Sequence, residues 1–192
     1  MPQPAPTSPE AFESKYRAAA DPWNFRTSSY ERDRYRQLLA CLGRPRYLHA
    51  LEPGCSIGEL TAQLAERCDQ VTATDVSTTA LERARRRCAA FPHVSLLRAD
   101  LGSELPAGGF DLIMLCEIGY YFDRAALAGI AERLEQALLP GGELVVSHWL
   151  GHSADHVLHA DEVHQVITST LTLRQRESGR YPGFRLDTWM KE

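Results

Sequence analysis

The sequence predicts an α/β fold: a doubly wound, mostly parallel sheet with helices on both faces and an antiparallel hairpin at the C-terminal edge. Three observations carry that expectation. From Tyr47 onward, strand-like runs, glycine turns and helical stretches alternate, the pattern of βαβ units with right-handed crossovers. The run Phe110–Cys116 is almost wholly apolar, as expected of a strand covered on both faces. The chain has 192 residues, enough for one core that buries roughly 70 % of the unfolded surface, so a single domain with a Rossmann-like sheet is expected.

The elements follow in order. Residues 1–9 hold four prolines and no apolar periodicity, which predicts a disordered tail without function. Ser8, Pro9 and Glu10 open a helix across residues 11–20, and Asp21-Pro22 stops it, because the residue before proline avoids helical backbone. A second helix over residues 30–42 is ended by Gly43 and Pro45. Residues 10–46 are thus expected to form a helical cap on a core of residues 47–192. In that core, strands are expected at residues 48–51, 71–74, Val94–Arg98, Phe110–Cys116 and 143–149. Helices are expected at 58–68, 79–89 and from Asp123 to Leu139, the last closed by Pro140-Gly141-Gly142. After a helix at 161–170, two strand-like runs at 171–177 and 184–190, separated by residues 179–183, predict the edge hairpin.

Composition excludes several classes. Hydrophobic residues make up 44 % and charged residues 24 %, ordinary globular usage, and no apolar run approaches the roughly 20 residues of a membrane span. The start MPQPAPTSP carries no secretory pattern, so a cytoplasmic protein is expected. A formal charge of −4 argues against a nucleic-acid partner, which calls for a basic surplus. Five scattered cysteines without a Cys-x-x-Cys pair suggest neither a disulfide framework nor a zinc site. His152, His156, His159 and His164 invite a metal reading, but Gly151, Ser153 and Asp155 point to a loop, and no metal is expected.

The chemistry gathers at the segment Leu51 to Gly58, a strand-to-helix turn where small residues let the backbone approach a ligand and the helix start offers free N–H groups. Glu52 stands where dinucleotide enzymes have their first glycine, and Ile57 also breaks that pattern. A carboxylate opposes a pyrophosphate and suits a cationic ligand such as a sulfonium or an α-amino group. Asp75 lies 23 residues later, where an acid at a strand end accepts hydrogen bonds from ribose hydroxyls. With Asp100 and Glu117 ending the next two strands, four carboxylates would converge at the carboxyl edge of the sheet. For Asp100, a solvated loop acid is the alternative.

Together Glu52-Pro53-Gly54-Cys55-Ser56-Ile57-Gly58, Asp75, Arg98-Ala99-Asp100 and Phe110-Asp111-Leu112-Ile113 with Glu117 resemble the successive motifs of class I S-adenosylmethionine-dependent methyltransferases. Asp21-Pro22-Trp23-Asn24-Phe25-Arg26 with Tyr30-Glu31, Cys116-Glu117-Ile118-Gly119-Tyr120-Tyr121 and Ser147-His148-Trp149 resemble, more narrowly, the nodulation protein S-like branch, the N-methyltransferases of lipochitooligosaccharide synthesis. The likeness spans nearly the whole chain. It implies that Glu52, Gly54, Cys55, Ser56 and Gly58 line the methionine part of S-adenosylmethionine, that Asp75, Val76 and Ser77 hold the ribose, and that Asp100 and Leu101 reach the adenine. Glu117 and Ile118 would lie near the transferred methyl. Trp23, Arg26 and Tyr30 would form a lid, with Arg26 the bidentate partner of the methionine carboxylate; a packing staple is the alternative for Trp23.

Methyl transfer from an activated sulfonium asks mainly for in-line alignment and exclusion of water. An acceptor amine must also be unprotonated, whereas free alkylamines titrate near about 10. His148 and Glu117 are the candidates to take that proton or hold the amine, with a structural role the alternative for His148. Tyr120, Tyr121 and Trp149 join His148 as candidate acceptor contacts, and the two tyrosines equally read as packing at the sheet end. The acceptor is expected to be an amino sugar, an oligosaccharide or a related small molecule, in a site built from the front segment and the 118–123 and 148–160 loops. An O- or N-methyltransferase of another metabolite is the alternative within the class. A dinucleotide oxidoreductase and a non-catalytic cofactor-binding module are the rivals outside it.

Overall fold

A computed structural model of the chain describes residues 7–192; the expected tail through residue 6 lies outside them. Ser8 caps the first helix, α1 (Pro9–Ala18), by accepting the Ala11 N–H, with Pro9 in its first turn. Ser28 caps α2 (Ser29–Ala40) in the same way. Both starts match the expectation that a small hydroxyl side chain satisfies an orphan donor.

The core then runs β1 (Tyr47–Pro53), α3 (Glu59–Ala65), β2 (Cys68–Asp75), α4 (Thr78–Arg87), β3 (Val94–Arg98) and β4 (Phe110–Cys116). A 3-10 turn (Gly119–Tyr121) follows, then α5 (Arg124–Ala137), β5 (Leu138–Trp149), α6 (Ala160–Thr170), β6 (Arg174–Tyr181) and β7 (Phe184–Met190). The seven strands form one sheet in the order β3-β2-β1-β4-β5-β7-β6. β1 to β5 are parallel, while β7 runs antiparallel to both β5 and β6. The expected doubly wound sheet with its antiparallel C-terminal pair is the observed one, and β7 rather than β6 joins the core.

Side-chain alternation along the central strands divides the core in two. Leu112 and Met114 of β4 face one layer with Leu38, Leu64 and Leu81, whereas Ile113 and Leu115 face the other with Leu127, Ile130 and Ile167. Burying each such side chain contributes about 1.5–3 kcal/mol. The outer strand β6 is largely exposed and carries three arginines and one glutamate, a composition that discourages edge-to-edge pairing.

Several boundaries differ from expectation. Helix α1 ends at Ala18 rather than residue 20, and the outer strand runs Arg174–Tyr181 rather than 171–177, so the hairpin turn is shorter than expected. Two further shifts have a visible cause. Helix α3 stops at Ala65, and Cys68 already pairs with Tyr47, because Arg67 turns the chain by donating to the Arg44 and Pro45 carbonyls. Strand β5 begins at Leu138 instead of residue 143. The register slips between Phe110↔Leu138 and Leu112↔Glu143, so Pro140-Gly141-Gly142 form a bulge, held by Gly141 N–H to Lys191 O at 2.7 Å. No helix among the described residues is long and apolar enough to cross a membrane.

Helix α1 docks on α4 through reciprocal end contacts. Glu13 accepts from the Ser77 and Thr79 hydroxyls, both at 2.6 Å, and from the Thr79 N–H, and these bonds hold its carboxyl down to about 2. Arg83 donates back to the Tyr16, Ala19 and Ala20 carbonyls at the end of α1. A carboxylate at a helix start and a guanidinium at a helix end both complement the helix dipoles.

Candidate functional site

The turn after β1 is shaped by left-handed backbone at Gly54 (φ 72°), Ser56 (φ 53°) and Gly58 (φ 85°). The φ of 72° at Gly54 favours glycine, and a Cβ there would stand 2.7 Å from Ile118 Cδ1, so the end of that side chain would have to shift. Asp75, at the end of β2, fixes the turn from below: Oδ2 accepts the Ser56 N–H and Oδ1 the Ser77 N–H, both at 2.9 Å. Burial pushes its carboxyl up to about 6 despite these bonds. Ser56 Oγ is buried and has no hydrogen-bond partner among the described residues, leaving a donor and acceptor free for a ligand.

Below this turn and the loops after β3 and β4 opens a cavity of about 690 Å³, walled on its far side by the front segment. Thirteen of the expected site residues line it. Gly54, Ser56, Asp75, Val76, Asp100 and Leu101 lie on the strand-end side, with Asp100 accepting the Gly102 N–H at 2.9 Å; Glu117, Ile118, Tyr120, Tyr121 and Trp149 come from the later loops, and Trp23 and Tyr30 from the front. The remaining expected residues do not. Cys55, Gly58 and Ser77 support the turn from behind, and Ser77 spends its hydroxyl on Glu13. Glu52 is buried and accepts from Thr61 Oγ1 at 2.6 Å. Burial pushes its carboxyl up to about 8, so it presents no exposed anion to the cavity.

Arg26 is exposed and also absent from the cavity wall. Asp21 accepts the N–H groups of Phe25 and Arg26, and the resulting turn directs Trp23 and Phe25, stacked at 5.8 Å, to the cavity. Tyr30 ties the front segment to the β6–β7 turn by donating to the Gly183 carbonyl at 3.0 Å. Helix α1 and the residues before it also contribute to the wall. Thr7, Ser8 and Pro9, expected to be functionless, line the cavity together with Phe12 and Tyr16. The spacing Phe12–Tyr16, one apolar face of a helix, was the available signal.

An ionic cluster forms the cavity floor. Arg34 is almost fully buried, binds Glu31, and places Nη1 2.5 Å from Glu117 Oε1. Tyr120 donates its hydroxyl to Glu117 Oε2 at 2.7 Å. Burial raises the Glu117 carboxyl, with Arg34 opposing. Glu31 and Glu117 both reach the cavity, and one guanidinium between two carboxylates leaves the cluster net negative. With Asp75 and Asp100, four carboxylates line the cavity, and no described lysine or arginine does.

His148 does not occupy the position expected of it. Its ring is fully buried outside the cavity wall, with Nε2 accepting the Gly119 N–H at 2.9 Å. A backbone N–H only donates, so the neutral ring carries its proton on Nδ1 and donates to His164 Nε2 at 3.3 Å. His164 then carries its own proton on Nδ1, 2.7 Å from Asp187 Oδ2. Burial lowers His148 well below the ordinary imidazole range. The chain Asp187–His164–His148–Gly119 therefore anchors the loop that bears Glu117, and His148 has no free nitrogen to take a substrate proton. His152 and His156 do line the cavity. Neither in their loop nor elsewhere among the described residues are three His, Cys, Asp or Glu side chains placed so that they could hold a metal ion.

Comparison with known proteins decides the class. A model of the family described as "Nodulation protein S (NodS)" matches residues 8–179. The chain belongs to this family. It is 34 % identical to nodulation protein S of Rhizobium tropici over 168 residues, 83 % of this chain and 69 % of that one. The N-methyltransferase NodS from Bradyrhizobium japonicum WM9, solved with S-adenosyl-L-homocysteine, superposes with a TM-score of 0.85 at 28 % identity, covering 95 % of this chain and 98 % of that one. A putative methyltransferase from Pseudomonas syringae gives 0.77 at 40 % identity, covering 85 % and 100 %. This member of the NodS family is an S-adenosylmethionine-dependent methyltransferase, and the oxidoreductase alternative falls.

Proposed function

We propose that the chain transfers a methyl group from S-adenosylmethionine to an amine of an amino sugar or oligosaccharide, with residues 10–46 as a cap over the site. The carrying observation is the cavity's charge: four carboxylates line it, and no described lysine or arginine does. Such a wall favours a sulfonium and an ammonium and disfavours anionic acceptors. NodS of Bradyrhizobium japonicum WM9 is named an N-methyltransferase, which supports the same acceptor atom. Five free cysteines suit a reducing, cytoplasmic setting.

The buried, unpartnered Ser56 Oγ and the close approach at Gly54 fit the methionine part of the cofactor. Asp75 retains lone pairs toward the cavity for ribose hydroxyls, beside Val76, while Asp100 and Leu101 flank the adenine. When bound, the cofactor supplies an already activated methyl group. The protein's part is to orient the acceptor and exclude water. Glu117, held by Arg34 and Tyr120, presents its carboxylate where an ammonium is to sit, with Glu31 beside it. Tyr121 and Trp149 offer the flat apolar faces that sugar rings pack on. Incubation with methyl-labelled cofactor and de-N-acetylated chitooligosaccharides, alkylamines and phenols tests the reading: label is expected on the amines, and label on phenols alone overturns it.

A further inference from the structure

The geometry points to His156 as the group that takes the proton from the acceptor's ammonium, an inference that rests on the amine reading above. His156 lines the cavity and is half-buried, and its ring stacks on Tyr120 with centroids 3.7 Å apart and planes 16° from parallel. Tyr120 in turn donates to Glu117 at 2.7 Å. The imidazole thus sits beside the carboxylate cluster that would hold the ammonium. Neither ring nitrogen of His156 is hydrogen-bonded to a described residue. His148, by contrast, has both nitrogens engaged, and His159 bonds the Leu150 carbonyl and the Asp161 N–H.

Stacking fixes the plane of the ring without consuming its nitrogens, which is what a proton acceptor in a cavity needs. The groups around it are Asp155, His152 and His159 of its own loop, Lys15 of α1, Tyr120 and Tyr121 of the 3-10 turn, and His148 and Trp149 of β5. Burial is the largest influence and lowers the imidazole below its ordinary range; Asp155 opposes, and Lys15, His152 and His159 reinforce. The ring is neutral at neutral pH. The ammonium gives one proton to His156 and becomes a free amine. Its lone pair then forms the N–C bond as the C–S bond breaks, the sulfur keeping that electron pair. The methylated ammonium leaves, and His156 releases its proton to water.

His156→Phe keeps an aromatic ring for the stack and removes both nitrogens; His156→Gln removes the base differently and serves should the first variant not bind S-adenosylhomocysteine. For an alkylamine acceptor, wild-type kcat/KM is expected to be level through neutral pH, where the lowered imidazole is already unprotonated, while the variant climbs about tenfold per pH unit toward the amine's own pKa near 10. At pH 7 the deficit should be roughly 10²–10³-fold. An arylamine, unprotonated at that pH, should be methylated by variant and wild type alike, and calorimetry should show unchanged S-adenosylhomocysteine affinity. Parallel pH profiles for variant and wild type overturn the assignment of His156. Wild-type protein that methylates no amine overturns the acceptor reading itself.

Discussion

Arg34 Nη1 lies 2.5 Å from Oε1 of Glu117, and the same guanidinium binds Glu31, three positions earlier on α2. Burial works against the Arg34 charge, and the two carboxylates outweigh it. Deleting one member of a buried ionic group leaves the others uncompensated, at roughly 3–5 kcal/mol. Arg34→Met should therefore lower the unfolding free energy by about that amount at neutral pH, read from urea midpoints. A loss under about 1 kcal/mol would mean that water screens the cluster.

Asp75 does two things at once: it braces the Ser56 and Ser77 amides and faces the cavity. Asp75→Ala should weaken S-adenosylhomocysteine binding about 10- to 150-fold, the equivalent of roughly 1.5–3 kcal/mol for charge-assisted hydrogen bonds. Calorimetry on a folded variant with native affinity would remove Asp75 from the site.

S-adenosylhomocysteine at 100 times its dissociation constant should stabilise the fold by about 2.7 kcal/mol through mass action, and NAD should add almost nothing. The thermal shifts are directly comparable. A larger shift with NAD would contradict the cofactor.

The histidine chain makes stability depend on pH with a definite sign. His148 and His164 are both lowered by burial, so the unfolded chain binds protons that the folded one does not. Their contribution is complete above about pH 6.5 and is lost as pH falls toward the lowered folded values, at up to about 1.4 kcal/mol per pH unit for each proton. Glu52 and Asp75, raised to about 8 and about 6, act in the opposite sense, so the comparison has to be between proteins. His148→Phe should be destabilised at pH 7.5 and show a smaller loss than wild type on going to pH 5.5. Equal losses would show that His148 takes up no proton on unfolding.

The front segment should order on binding. Its Trp23, Phe25 and Tyr30 face the cavity, while few of its residues between α1 and α2 are buried, and such segments sample local opening. Amide exchange across residues 21–31 should slow when S-adenosylhomocysteine is added. Identical exchange with and without it would make the segment a static cap.

Local signals determined much of this protein. Ser8 and Ser28 mark helix starts through bonds three residues long, the glycine-rich turn after β1 carries its positive φ values in its own sequence, and the apolar run Phe110–Cys116 alternates between two layers because strand side chains must. Asp75 and Glu117 were legible for the same reason: each ends a strand, and a parallel sheet brings strand ends together. What tertiary structure decided is which groups meet across the chain. Arg34 of α2 reaches Glu117 after β4, and α1 closes the cavity by docking on α4. Neighbouring elements bury His148 completely and leave His156 half-buried on the cavity wall, though both are histidines in adjoining segments. Burial and partnering of a side chain depend on the packing of distant elements, which no short-range spacing encodes.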